Sequence, residues 1–161
     1  MFRKDCFTDN YGSEDELYIK IDKFIPKDKV IYEPFFLDGK SGKCLKKLGC
    51  KKVIHADIDF FSNVEHLDYE VIISNPPFSK RRAILDKLFQ VDKPFILTLF
   101  PIVLSCKWFL DNYANKNLQL IIPKKRAKHY NPDLNKTNYT PPCGIFYFCY
   151  KMNLPNDLNF L

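Results

Sequence analysis

Four residues with an unusual combination of chemistries, Asn75, Pro76, Pro77 and Phe78, stand directly after the apolar run 71–73. The Asn75 amide oxygen and the Pro76 carbonyl are both hydrogen-bond acceptors, and the proline after Pro76 keeps it extended so that its carbonyl turns outward. The amine of a base is a poor nucleophile because its lone pair is delocalised into the ring. Two acceptors that bind the amine hydrogens would draw the lone pair back onto nitrogen. A neighbouring aromatic face can stack on a base, which is worth about 1–3 kcal/mol. The tetrapeptide thus predicts chemistry on the exocyclic amine of a base; the plain alternative is a strand ending in a Pro-Pro turn with an aromatic that covers the core.

Apolar runs that alternate with segments of helical periodicity must hold these residues in place. The runs predict short strands at residues 30–33, 53–57, 70–74, 95–100, 118–122 and 145–150, and the last run closes the series. Continuous apolar strands interleaved with helices are typical of a mostly parallel sheet covered on both faces. We therefore expect an α/β fold, in which ligands bind beyond the carboxyl ends of the strands.

Helix boundaries carry their own signals. Ser13 and Glu16 form a capping-box pattern before apolar residues at helical spacing, which predicts a helix within an N-terminal segment 1–29. Ser79 is a second predicted cap, ahead of another periodic segment. Two shorter helices are predicted over 43–48 and 107–113.

Length and composition limit the class of protein. The chain has 161 residues, 46% of them hydrophobic, which predicts one core and a single domain over 1–161. No apolar run approaches the roughly 20 residues that span a bilayer, so we expect a soluble intracellular protein without membrane contact. The six cysteines lack C-x-x-C spacing, which favours reduced thiols in a reducing compartment, and the three histidines suggest no metal site. A net charge of +6 fits a polyanionic partner.

Acidic and small residues follow the first two predicted strands, ahead of the tetrapeptide. The succession of Glu33-Pro34-Phe35, the glycines Gly39 and Gly42, the carboxylate Asp57 and the tetrapeptide resembles class I S-adenosylmethionine-dependent methyltransferases, specifically the adenine N6 amino-methyltransferase group. The resemblance covers most of the chain. It implies a Rossmann-like fold, S-adenosylmethionine as cofactor, and methyl transfer to the exocyclic N6 amine of adenine in DNA or RNA.

The resemblance also assigns roles to residues. It implies that the catalytic residues are Asn75, Pro76, Pro77 and Phe78. It implies that the methionine part of the cofactor is held by Glu33, Pro34, Phe35, Gly39 and Gly42. Asp57 would accept both ribose hydroxyls, and Thr8 resembles the residue that contacts the cofactor carboxylate.

Two features depart from the family pattern. Leu37 stands where the first glycine of the loop is usual. Only residues 58–69 separate Asp57 from the catalytic strand, so we expect the sheet to lack one edge strand. Asp59 and Phe60 are then expected to hold the cofactor adenine in place of residues from the missing region. The plain alternative is that Asp59 caps a turn and Phe60 plugs the exposed edge.

Two basic groups are predicted to grip phosphates beside the target base. One follows the tetrapeptide and comprises Lys80, Arg81 and Arg82. The other belongs to a predicted substrate-side loop over 124–143 and comprises Lys124, Lys125, Arg126 and Lys128, with Tyr130 and Tyr139 as aromatic faces for bases. A third group of basic residues is interpreted as ordinary solvated surface: Lys43, Lys46, Lys47, Lys51 and Lys52.

Two other functions remain open from the sequence. Protein glutamine methyltransferases use a closely similar tetrapeptide that usually ends in tyrosine, and the basic loop disfavours this substrate slightly. A catalytically inactive, nucleic-acid-binding subunit that supports an active partner is the other, favoured by Leu37 and the missing strand. With so little chain available for recognition, a protein partner could supply sequence specificity.

Overall fold

The structure is a computed structural model that describes residues 15–126 and 144–161, together with the backbone of three short strands outside those ranges. The strands are β1 Gly12–Ser13, β2 Val30–Tyr32, β3 Lys52–Ile54, β4 Val71–Ser74, β5 Phe95–Leu99, β6 Gln119–Ile122, β7 His129–Asn131, β8 Lys136–Tyr139, β9 Phe146–Tyr150 and β10 Leu158–Phe160. The α-helices are α1 Glu16–Ile19, α2 Lys40–Lys47, α3 Phe60–Asn63, α4 Arg81–Val91 and α5 Lys107–Tyr113. Short 3-10 helices lie at Asp22–Phe24, Phe78–Lys80 and Pro101–Ser105.

A seven-stranded sheet in the order β10-β6-β9-β5-β4-β2-β3 forms the centre of the protein. Every neighbouring pair is parallel except the two pairs made by β9, which runs antiparallel to both β5 and β6. The carboxyl ends of β2 to β6 therefore share one edge. This confirms the predicted α/β architecture with a mostly parallel sheet.

Helices cover both faces of the sheet, which accounts for strands that are apolar without alternation. All four residues of β4 are buried, with Ile73 facing one core cluster and Ile72 the other. The first cluster includes side chains of α1 and α2, such as Leu17 and Leu45. The second includes side chains of α3, α4 and α5, such as Phe109. Burial on both faces is the usual condition of parallel strands.

Three predicted helix starts were wrong. Ser13 lies in β1, and α1 begins after Asp15 with no side-chain cap, so the capping box does not form. Ser79 lies inside a 3-10 helix, and α4 starts at Arg81 without a side-chain cap. The helix predicted from residue 43 begins at Lys40, because Gly39 supplies a left-handed N-cap (φ 75°).

The two ends of the sheet differ from the prediction in opposite ways. β3 is an edge strand with only the short helix α3 between it and β4, as the short 58–69 segment predicted. At the other edge, β10 extends the sheet beyond β6, so the run at 145–150 does not close the series. With three residues, β10 is too short to give a periodic signal.

The segment predicted as an irregular loop contains two strands. β7 pairs antiparallel with β8 and with β1, forming a separate three-stranded sheet. The sequence obscured these strands because their residues are mostly polar, without the apolar runs of the central sheet. In the described ranges, none of the helices has the length and apolar character needed to cross a membrane.

Candidate active site

A cavity of about 320 Å³ opens at the carboxyl edge of the sheet, between the loops that follow β2, β3 and β4. The β2 loop contributes residues 34–38, and Ser41 of α2 completes that wall. The β3 loop contributes 57–61, and the β4 loop contributes 75–78 with Lys80. Ligand sites in proteins commonly measure 300–1,000 Å³, so the cavity has the size of a small-molecule site. Three groups of predicted site residues therefore meet in one place.

The β4 loop presents the Asn75 amide, which a buried hydroxyl orients. Thr98 of β5 is 3% exposed, and its Oγ1 donates a hydrogen bond to Asn75 Oδ1. β4 and β5 are parallel neighbours in which Ser74 pairs with Leu97, so Thr98 comes level with Asn75. An amide oxygen has two lone pairs, and the hydrogen bond from Thr98 uses one of them. The arrangement fixes the direction in which this oxygen points.

Phe78 lies deeper than a stacking platform would. It is 3% exposed and packs against Phe100, with ring centroids 4.4 Å apart. Its backbone carbonyl accepts a hydrogen bond from Arg81 Nη1 at 2.9 Å. The predicted plain alternative, an aromatic that covers the core, thus describes part of what Phe78 does. Its ring still forms part of the cavity wall.

Glu33 lies behind the cavity wall and ties four elements together. It is 1% exposed, and its carboxylate accepts hydrogen bonds from Ser41 Oγ of α2 and Ser74 Oγ of β4. The Phe35 N–H donates to the same carboxylate at 3.2 Å. His55 Nδ1 lies 2.8 Å from the Glu33 carbonyl oxygen and 3.3 Å from the carboxylate. Burial raises the pKa of Glu33, and the two hydroxyl hydrogen bonds and His55 act in the opposite direction.

Gly39 and Gly42 are required for different structural reasons. Gly39 adopts a left-handed backbone, which only glycine reaches without strain. Gly42 packs against the His55 ring: a Cβ at position 42 would lie 2.4 Å from His55 Cδ2. Neither glycine lines the cavity, whereas Pro34 and Phe35 do. The Gly42 requirement therefore comes from packing between α2 and the β3 end.

Leu37 occupies a glycine-like position in its backbone conformation. Its φ is +45°, in the left-handed region that side chains disfavour, and its side chain is 68% exposed at the cavity. The loop therefore makes a left-handed turn at a residue that has a side chain. Each such residue costs roughly 1–2 kcal/mol.

The β3 loop carries two carboxylates at the cavity: Asp59 caps a helix, whereas Asp57 has no partner among the described residues. Asp57 is exposed on the cavity wall, and within the described ranges no hydrogen bond or ion pair engages its side chain. Asp59 Oδ2 instead caps α3, accepting from the Ser62 N–H and Oγ, both at 2.8 Å. These hydrogen bonds lower the Asp59 pKa.

The two aromatic residues of the same loop, Phe60 and Phe61, differ in exposure. Phe60 is 4% exposed and packs into the core, whereas Phe61 is 37% exposed at the cavity. Asp59 and Phe60 thus perform the cap and plug roles of the plain alternative, although both also line the cavity. Phe61, which was not predicted as a site residue, offers the more accessible ring. Its only sequence signal was adjacency to Phe60.

The predicted basic residues are less concentrated than expected. Lys80 lines the cavity, whereas Arg82 lies 5.9 Å over the Trp108 ring, with its Nε 4.0 Å from Asp86. The exposed residues Lys124, Lys125 and Arg126 follow β6 at the cavity edge of the sheet without lining the cavity. Thr8 and Lys128 lie outside the described residues, as do the side chains of Tyr130 and Tyr139.

Comparison with protein-family models and with curated proteins yields no match to this chain. Function must therefore be inferred from the site itself. Its polar side chains include the Asn75 amide, the Asp57 carboxylate, the Ser41 hydroxyl and the Lys80 ammonium group. Across the described ranges, no three His, Cys, Asp or Glu side chains cluster as metal ligands would. The four described thiols, Cys44, Cys50, Cys106 and Cys149, are free.

Proposed function

We propose that this chain transfers a methyl group from S-adenosylmethionine to the exocyclic N6 amine of adenine in DNA or RNA. The observation that carries the proposal is the oriented Asn75 oxygen at the wall of a cavity whose other walls hold Asp57 and Phe61. A hydrogen-bond acceptor aimed at an amine, a free carboxylate and an accessible ring are the groups that this reaction requires. The α/β sheet supports it by bringing three strand ends together.

The acceptor side of the proposed reaction depends on Asn75 and Pro76. Their side-chain and backbone oxygens would each accept a hydrogen from the adenine amine, drawing its lone pair back onto nitrogen. Thr98 holds the Asn75 oxygen in position, so little reorganisation is needed when the base enters. No side chain is required as a base, because the methylated amine can lose its proton to solvent.

The opposite wall fits the chemistry of the cofactor. Asp57 is free to accept two ribose hydroxyls, and Phe61 exposes a ring to the same cavity, where it could contact adenine. The turn at Leu37 would lie beside the methionine part. When bound, S-adenosylmethionine supplies a methyl group on a positively charged sulfur. The protein's task is then to orient the two reactants and exclude water.

Transfer of a labelled methyl group to separate DNA, RNA and protein pools tests this proposal. We expect label at adenine N6 in one of the nucleic-acid pools, and loss of that label in Asn75→Ala with cofactor affinity nearly unchanged. Label on glutamine in the protein pool would move the substrate to the closely similar protein methyltransferases. Absence of transfer to all three pools would overturn the proposal.

A second candidate function is a nucleic-acid-binding subunit that keeps the fold without catalysis. The strained Leu37 backbone and the commitment of Asp59 to Ser62 favour it, because both lie on the proposed cofactor side. Calorimetric titration with S-adenosylmethionine, with and without nucleic acid, separates the two functions. Saturable binding favours the enzyme, and its absence in both titrations favours the inactive subunit.

A further inference from the structure

The exposed lysines around α2 lie in a segment that contains no acidic residue. Residues 40–52 include six lysines and no acidic residue. Five of these lysines are exposed and form no ion pair within the described ranges: Lys43, Lys46, Lys47, Lys51 and Lys52. The first four are here called the lysine face.

Seven described lysines outside this group have a carboxylate partner, whereas six form no ion pair within the described ranges: Lys23, Lys80, Lys93, Lys116, Lys124 and Lys125. Ion pairs of 2.6–2.9 Å engage Lys20, Lys27, Lys29, Lys40, Lys87, Lys107 and Lys151. Protein surfaces generally mix the two charges. The segment 40–52 lacks that mixture, because it contains six lysines and no acidic residue.

Three of these lysines lie on one side of α2, and the other two lie at the start of β3. Lys43, Lys46 and Lys47 have the i, i+3, i+4 spacing of one helix side, while Cys44 and Leu45 of α2 are buried in the core. Lys51 directly precedes the edge strand β3, and its N–H donates to the Lys27 carbonyl at 3.1 Å. Lys52 alternates with Val53 along β3 and points to the sheet face opposite α2, the face on which Ile54 packs.

The nearby carboxylates are already engaged. Asp22 pairs with Lys27 at 2.9 Å, and Glu70 pairs with Lys29 at 2.8 Å while also accepting from the Val30 N–H. Lys52 acts on Glu70 through space, helping to lower its pKa, but forms no ion pair with it. The positive charge of the lysine face therefore remains largely uncompensated by the protein.

We infer that the lysine face binds the phosphate backbone of a nucleic acid, as a second contact beyond the cavity. Lysines act as point charges toward phosphates, and several together give affinity that carries little sequence information. Ser41, in the first turn of α2, lines the cavity, and Lys47 lies about 9 Å further along the helix at 1.5 Å per residue. A duplex rises about 3.4 Å per base pair, so a polymer at the cavity reaches the lysine face within a few base pairs.

The inference rests on the proposed function for the choice of polymer. The contact would keep this small protein bound to its nucleic-acid substrate between one target adenine and the next. Binding is measured separately from catalysis, so the two proposals can fail independently. If methyl transfer occurs but nucleic-acid binding does not depend on the lysine face, only this inference is overturned. If the lysine face binds nucleic acid but no methyl group is transferred, only the proposed methyltransferase activity is overturned.

The test compares two variants of equal net charge by fluorescence anisotropy with a short labelled duplex and a single strand, without cofactor. The first changes Lys43, Lys46, Lys47 and Lys51 to Gln; the control changes Lys87, Lys107, Lys116 and Lys151 to Gln. Each set lowers the formal charge from +6 by four, to +2. Gln has nearly the helix propensity of Lys, and thermal melting verifies that both variants fold.

We expect the lysine-face variant to bind at least about tenfold more weakly than wild type at low salt, with a log–log salt slope about 3–4 units shallower. The control should retain most of the affinity and slope. Equal losses in both variants would mean that net charge alone attracts the polymer, and no loss in either would leave the face without a role. Either result overturns the inference. Face-dependent binding to vesicles containing phosphatidylserine, without binding to nucleic acid, would also overturn it.

Discussion

At the scale of single residues, the acceptor wall depends on one buried hydroxyl. Thr98 is the polar residue of an otherwise apolar strand, and its side chain donates to Asn75 Oδ1. Burying a hydroxyl is unfavourable unless it is hydrogen-bonded, so the pair is also a structural unit. In the proposed reaction Thr98 positions Asn75 and does not contact the base.

Thr98→Val should therefore lower kcat without weakening cofactor binding. Valine keeps the shape and removes the donor, which frees the amide to turn. We expect a loss of about two- to tenfold, given that one such hydrogen bond contributes roughly 0.5–1.5 kcal/mol. Thr98→Ser, which retains the hydroxyl, should recover most of the rate. Steady-state kinetics with calorimetry of cofactor binding distinguish this from general damage, since misfolding would lower both quantities in both variants.

Leu37 makes a different prediction at the same scale. Because its backbone is left-handed and its side chain is exposed, Leu37→Gly should raise the free energy of unfolding by about 1 kcal/mol. Leu37→Ala is the matched control, since it removes the side chain but keeps a Cβ at the same φ. Chemical denaturation measures both. Equal stability of the two variants would show that the backbone at this position carries no strain.

At the scale of elements, α2 and the end of β3 are joined by Gly42 and His55. The imidazole occupies the space that a side chain at position 42 would need. It also packs against the Phe36 ring, with ring centroids 4.8 Å apart and the planes tilted by 33°. The first turn of α2 is thereby held against the strand that leads to Asp57. The cavity walls contributed by β2 and β3 depend on this contact.

Gly42→Ala should destabilise the protein by about 1–3 kcal/mol, the usual cost of overpacking. The loss should be much smaller when His55 is also changed to Ala, because the space then becomes available. Denaturant unfolding of both single variants and the double variant measures the coupling. Additive losses would place the cost of the alanine somewhere other than the His55 ring.

The elements also show what could be predicted from the sequence and what could not. Buried strands such as β4 and β5 were predicted because a short, continuous apolar run is favourable where both faces of a sheet are covered. The carboxyl-edge position of Asn75 and Asp57 followed from parallel topology. By contrast, the contacts of Gly42 with His55 and of Thr98 with Asn75 join residues 13 and 23 positions apart, and only packing could assign them.

At the scale of the whole molecule, Glu33 connects β2, β3, β4 and α2 through one buried carboxyl. Burial raises its pKa from an ordinary value near 4.5, so the folded state holds the proton more tightly than the unfolded chain. Its contribution to stability is therefore greatest below that ordinary value and declines as pH rises toward the folded-state pKa.

Glu33→Gln removes this titration while retaining most of the shape. We expect the stability of wild type relative to the variant to fall as pH rises above about 4.5. Glu65→Gln is a control of opposite sign, because the hydrogen bond from Lys87 lowers the Glu65 pKa and its stabilisation is lost as pH falls. Urea unfolding across the pH series measures both differences. A pH-independent difference for Glu33→Gln would mean that its pKa is the same in the folded and unfolded states.

The contact between Gly42 and His55 also has a consequence for the evolution of the sequence. A descendant of this chain that acquires alanine at position 42 must lose the imidazole at position 55 or move its backbone, so the two codons are expected to change together. Covariation at these positions would be visible in an alignment of related chains. Relatives that have exchanged this glycine and histidine for another compatible pair would share the cavity while lacking the glycine spacing by which such loops are usually recognised.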